Sequence, residues 1–205
     1  TATARFEMLK STSGIKASGR GLIRDCFFGS AMGYSDTVDH NSGGNREQNQ
    51  PIIQFYNNVF TGSGDDILDI DGADAWIEGN LFLHCHRNGA PDTAAAISGG
   101  SGSRTSEITV RGNLFFDCDN VATAKQGNFY TFINNTMVRT TRQGGVDTAA
   151  GVVAVRDMIP NVTTFARGAY LEGNIIVDAE QLIRNYDEKK TTVTLNNNIL
   201  PLAWT

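Results

Sequence analysis

Five aspartates crowd the segment Gly64 to Asp74, GDDILDIDGAD: Asp65, Asp66, Asp69, Asp71 and Asp74. Carboxylates this dense either retain protons, because each charge disfavours ionisation of the next, or share a cation. A hard ion such as calcium takes roughly six to eight oxygen ligands in loose geometry and suits such a cluster. The segment is not an EF-hand loop, since its acids do not alternate ahead of the required Glu. It reads either as an acidic turn, with or without an ion that staples the chain, or as a site that does chemistry. Chemistry needs a base. Lys125, in ATAKQGN, is the one lysine between Lys16 and Lys189. His84, His86 and Arg87, in HCHRNG, offer contacts to an anion. Two histidines flanking Cys85 also suit a transition metal, but no second Cys/His cluster accompanies them.

These residues need elements to position them, and a short pattern supplies them. An apolar residue, two others, Asn, any residue and a large apolar residue recur as FYNNVF, IEGNLF, VRGNLF, FINNTM, LEGNII and LNNNIL, with IRDCFF as a seventh copy. The register residues are Cys26, Asn58, Asn80, Asn113, Asn135, Asn174 and Asn198, separated by 32, 22, 33, 22, 39 and 24 positions. The shorter steps are about one coil of a parallel β-helix and the longer ones add insertions of roughly 10 to 17 residues. Coils stack at about 4.8 Å, so the asparagines predict a structural amide ladder and Phe60, Phe82, Phe115, Met137, Ile176 and Leu200 an inward stack. Cys85 and Cys118, each five residues after a ladder Asn, are expected side by side as buried thiols.

A second register begins at Asp36, Asp66, Asp92, Asn120, Asp147 and Glu180. Strand alternation turns Val38, Leu68, Ile70, Ala94, Ala96, Ala122 and Ala124 inward. It turns Asp39 and Asn41, Asp69 and Asp71, Ala95 and Ile97, then Thr123 and Lys125 outward. Asp39 is thus expected beside Asp69, with Lys125 about two coils on. Insertions at 29–50, 84–93 and 139–150 enter this face, which favours a groove.

The composition fits an all-β solenoid: 22 Gly, only four Pro, and many short β-branched and aromatic stretches. The net charge of −5 is spread without a basic run, so neither nucleic acid nor a membrane surface is an expected partner. Three cysteines do not make a disulfide framework. Residues 1–205 read as one parallel β-helix domain of about seven coils, uncapped at both ends and therefore expected to be a segment of a longer chain.

On these features the chain resembles the pectin-lyase-like superfamily of right-handed parallel β-helices. Asp65, Asp66 and Asp69 resemble the DDxxD calcium site of family 9 pectate lyases, with Asp39 or Asp36 as the acid from the preceding coil. Lys125 is similar to that family's base, although Ala-Thr-Ala-Lys-Gln-Gly stands where the family has Gly-Phe-Lys-Leu-Gly. The resemblance implies a monomeric, secreted, extracellular or cell-surface protein that binds calcium through Asp39, Asp65, Asp66, Asp69 and Asp71 and acts on an acidic polysaccharide. Lys125 would be its catalytic residue in β-elimination, with His84, His86 and Arg87 holding substrate. Two alternatives stand beside it. One is a calcium-stabilised, non-catalytic binding, adhesin or stalk module. The other is a polygalacturonase-like hydrolase using Asp39, Asp65 and Asp66, whose carboxyls would stand about 6.5 to 9.5 Å apart.

Overall fold

Ile53–Tyr56 reads Ile-Gln-Phe-Tyr and Ala75–Glu78 reads Ala-Trp-Ile-Glu, each alternating buried and half-buried side chains. This period of two makes a strand with one face in a core. The computed structural model describes residues 7–11, 19–31, 33–40, 51–87, 94–100, 106–141, 150–156 and 165–201. Within them the strands form three parallel sheets, of seven, seven and six strands. Sheet A stacks Leu9–Ser11, Val38–His40, Leu68–Asp69, Ala95–Ser98, Asn120–Lys125, Gly151–Arg156 and Ile183–Arg184. Sheet B stacks Gly21–Arg24, Ile53–Tyr56, Ala75–Glu78, Ser106–Arg111, Asn128–Ile133, Gly168–Glu172 and Thr192–Asn196. Sheet C stacks Phe27–Phe28, Val59–Phe60, Leu81–Cys85, Leu114–Cys118, Thr136–Thr140 and Ile175–Ala179. Each strand pairs with its counterpart one coil away, so the chain is an all-β solenoid of the parallel β-helix type.

The turn between sheets B and C carries the expected ladder. Asn58 Oδ1 accepts the Cys26 N–H at 3.1 Å. Asn80, Asn113, Asn135, Asn174 and Asn198 each accept both the backbone N–H and the Nδ2 of the ladder residue before them, at 2.8 to 3.0 Å. The residue ahead of each register position has positive φ: Asp25, Asn57, Gly79, Gly112, Asn134, Gly173 and Asn197. Asp, Asn and Gly are the types that tolerate this left-handed backbone, so the turn chemistry is written directly in the repeat.

Inside, Phe28, Phe60, Phe82 and Phe115 stack at 4.8, 5.0 and 4.8 Å between ring centroids. Met137 and Ile176 continue the row. Cys85 and Cys118 pair in register as free, buried thiols, and burial pushes the Cys118 thiol up to about 12.

Four of the five alignments of the second register shift, and only that of Asp39 with Asp69 holds. Asp69 pairs with Ser98 rather than Ala95, and Ile97 sits over Leu68 in the core. Thr123 pairs with Ser98 rather than Ala95 on one side and with Ala154 rather than Ala150 on the other, and Ile183 pairs with Val153 rather than Ala150. The run Ala94 to Ile97 has no polar alternation, so its pattern specifies no register. Asn41 and most of the three insertions fall outside the described residues.

Candidate functional site on the outer face of sheet A

Register places Lys10, Asp39, Asp69, Ser98 and Thr123 in one outward row. Lys10 and Asp39 form an ion pair. Asp71 and Lys125 lie two residues further along their own coils. Between those coils is Gly100, at φ 124; a Cβ there would stand 2.5 Å from the Cβ of Lys125. This bare position leaves room for the Cβ and backbone of Lys125, whose charge acts on both Asp69 and Asp71. Among the described residues the Lys125 ammonium makes no ion pair.

A tighter acidic group sits at the turn before the sheet. Carboxylate oxygens of Asp36, Asp65 and Asp66 lie within 4.8 Å of one another, as do those of Glu7, Asp36 and Asp39. Asp36 belongs to both groups. Burial, and then the charge of Asp66, raise its pKa to about 7. Burial and the same Asp66 charge push Asp69 well above the ordinary carboxylate range, against the pull of Lys125. Asp71 is raised chiefly by burial, again opposed by Lys125. Asp69 Oδ1 and its neighbour Ser98 Oγ are closed off from solvent without a hydrogen-bond partner.

Several acids also brace the solenoid. Asp36 Oδ1 accepts the Asp66 N–H at 3.0 Å, and Asp66 Oδ1 accepts the Ala95 N–H at 2.9 Å. Asp119 Oδ2 accepts from Ala94 at 3.1 Å and Arg87 at 3.0 Å. Asp74, the fifth acid of the cluster, turns away to take the Glu107 N–H at 2.8 Å.

The three candidate anion contacts are occupied by carboxylates of the chain itself. The Arg87 guanidinium pairs with Asp65, donates to the Tyr34 hydroxyl at 2.7 Å and stacks 4.0 Å over that ring. His84 bonds Asp117 at 2.8 Å, and His86 bonds Asp119 at 2.7 Å. Burial alone would lower the pKa of His86, but hydrogen bonds and charge from Asp119 and Asp117 outweigh it and raise it. Cys85 points into the core, away from this pair.

Of the expected metal ligands, the structure groups Asp65 and Asp66 with Asp36. Among the described residues, Asp69 and Asp71 belong to no set of three acids that close. Sequence reasoning offered Asp36 only as a substitute for Asp39, and missed Ser98, Glu7 and Asp119. The parallel positions of Asp36 and Asp66 at the heads of their segments were the available signal.

Three carboxylates at this separation, one of them with its pKa raised to about 7 by burial and by the charge of Asp66, fit the oxygen-rich demand of calcium. Arg87 on Asp65 is the competing cation. No protein-family model matches the chain, and no curated protein or solved structure matches it either.

Proposed function

We propose that the protein is a calcium-dependent polysaccharide lyase of the pectin-lyase-like, right-handed β-helix type, secreted or held at the cell surface and acting on a uronic-acid polymer along sheet A. The observation that carries this reading is the position of Lys125 against Gly100, where its charge acts on Asp69 and Asp71, on the face that also bears Asp36, Asp65 and Asp66. A basic side chain outside any ion pair among the described residues, and a surplus of acids on one face, are what acid–base work on an anionic sugar requires.

Asp36, Asp65 and Asp66 would hold the ion. When bound, calcium neutralises a uronate carboxylate and makes the proton on the adjacent carbon more acidic. Lys125, in its unprotonated form, takes that proton. Electrons from the broken C–H bond form the new double bond as the glycosidic oxygen departs. Arg87, on the same rim, moves from Asp65 to the sugar acid when the ion takes its place.

The test is near-ultraviolet absorbance of the unsaturated product, followed on several uronic-acid polymers with calcium supplied. Lys125→Ala should lower the rate by about 100-fold or more, the usual worth of a general base. Failure of every polymer to give product between neutral and alkaline pH sinks the lyase.

A second reading, the calcium-stabilised binding or stalk module, is favoured by the bonds from Asp36 and Asp66 to backbone N–H groups one coil on. It expects calcium to raise the melting temperature with no turnover.

A further inference from the structure

Sheet C is apolar on both faces. Inside lies the phenylalanine stack. Outside, Phe27, Val59, Leu81, Leu114, Thr136, Ile175 and Ile199 stand in one register row, interrupted only by Thr136. Two residues on, Leu83, Phe116, Val138 and Val177 form a second row. Phe27 is 73% exposed, Ile199 63% and Val177 47%. A sheet with one face in water normally alternates apolar and polar residues, so two apolar rows side by side mark a contact surface. The corresponding outer row of sheet B is mixed: Gln54, Thr109, Thr131 and Thr194 stand among Leu22, Trp76 and Tyr170.

One border of this face carries a charged column. His84, Asp117, Arg139 and Asp178 each follow a ladder Asn by four positions, and each has positive φ, between 52 and 61. Asp117 takes His84 at 2.8 Å on one side and Arg139 at 3.8 Å on the other. Among the described residues, exposed Asp178 makes no ion pair. The column therefore reads imidazole, carboxylate, guanidinium, carboxylate along the solenoid.

Such a sequence complements itself when turned end for end. A half-turn about an axis lying along the strands puts His84 opposite Asp178 and Asp117 opposite Arg139. The same operation faces Leu81 with Ile175, Leu114 with Thr136 and Phe116 with Val138. We propose that the outer face of sheet C is a self-association surface, on which two copies pack face to face with their solenoid axes antiparallel. A two-fold contact must be self-complementary, and this face is so in both its apolar rows and its charges. The occupant is thus a second copy in place of the monomer expected from sequence. Six coils at roughly 4.8 Å and strands of about five residues at roughly 3.3 Å give a face of about 480 Å² per copy. The total falls below the standard size of stable complexes and sets the association in the weak, micromolar class. The inference is independent of any activity on sheet A.

Sedimentation velocity on the 205-residue chain across a concentration series should show a monomer–dimer equilibrium. Val177→Glu, at an exposed position, should raise the dissociation constant more than about 10-fold with an unchanged circular dichroism spectrum. Arg139→Asp, which keeps a residue type suited to positive φ, should weaken it too by opposing Asp117. Orientation is read from Leu81→Cys combined with Ile175→Cys in a Cys26→Ser background. These positions are three coils apart in one chain, roughly 14 Å, which is beyond disulfide reach, but they face each other across the two-fold. Mild oxidation should then link two chains. A chain that stays monomeric into the high micromolar range overturns the proposal. So does a dimer indifferent to both charge variants, or a double-cysteine variant that does not cross-link.

Discussion

The asparagine corner and the aspartate corner do the same mechanical job by different chemistry. In both, a side-chain oxygen accepts a backbone N–H from a neighbouring coil: Asn80 from Asn58 at one, Asp66 from Ala95 at the other. An amide carries both donor and acceptor, so Asn58 to Asn198 hand hydrogen bonds along without accumulating charge. A carboxylate only accepts. Each further one stacked at the turn adds repulsion, which is relieved by a proton, by a basic side chain such as Arg87, or by a metal ion. The amide corner can therefore repeat indefinitely, while the acidic corner must change from coil to coil.

Exchanging the two chemistries breaks the comparison most sharply. Asn113→Asp puts a charge inside the ladder, where it loses the Nδ2 bonds to Ile77 O, Arg111 O and Asn135 Oδ1. A loss of about 3 to 5 kcal/mol is expected in denaturant titrations at neutral pH. A loss under about 1 kcal/mol would show that the ladder contributes little. Gly100→Ala comes next, at about 1 to 3 kcal/mol, because the added methyl meets Lys125 and φ is 124. Its sharper readout is the rate on a uronide, which should fall with that of Lys125→Ala.

The third test is pH. Asp36, with its pKa raised to about 7, keeps its proton in the folded protein after the unfolded chain has lost it near pH 4. The folded state then binds more protons, so stability falls as pH rises from about 4 through about 7. Asp69 and Asp71, also raised, act with the same sign. In chelator the decline should be on the order of 2 kcal/mol once solvent screening is allowed for, and calcium should reverse it at neutral pH. Flat stability across that window would mean that the acids are already compensated. The smallest effect belongs to Asp66→Asn. The amide still accepts from Ala95 while the charge that raises Asp36 and Asp69 is gone, so stability without calcium should stay within about 1 kcal/mol or rise. The calcium response should vanish in calorimetry.

The ladder, its turns and the phenylalanine stack were legible because a β-helix repeats each demand once per coil, and Asn58, Asn80 and Asn113 meet it with one residue type. Asp39 beside Asp69 was legible for the same reason. The register of Ala94 to Ile97 was not, since four small or aliphatic side chains fit either face. Arg87 with Asp65, Lys10 with Asp39 and the closeness of Asp36 to Asp66 depend on where side chains reach across 22 to 30 positions of sequence, and no local spacing encodes that reach.

The asparagine ladder also has a direction. Backbone amides of parallel strands point alternately up and down the solenoid, so their dipoles largely cancel. The ladder amides all point one way, each Oδ1 toward the amino-terminal neighbour and one Nδ2 hydrogen toward the carboxy-terminal one. Aligned head to tail, they polarise one another and sum to an axial dipole, negative toward Cys26 and positive toward Asn198. This is the reverse of an α-helix, whose amino end is positive. The solenoid is thus electrically polar along its length, and an acidic chain laid against it meets two unlike ends.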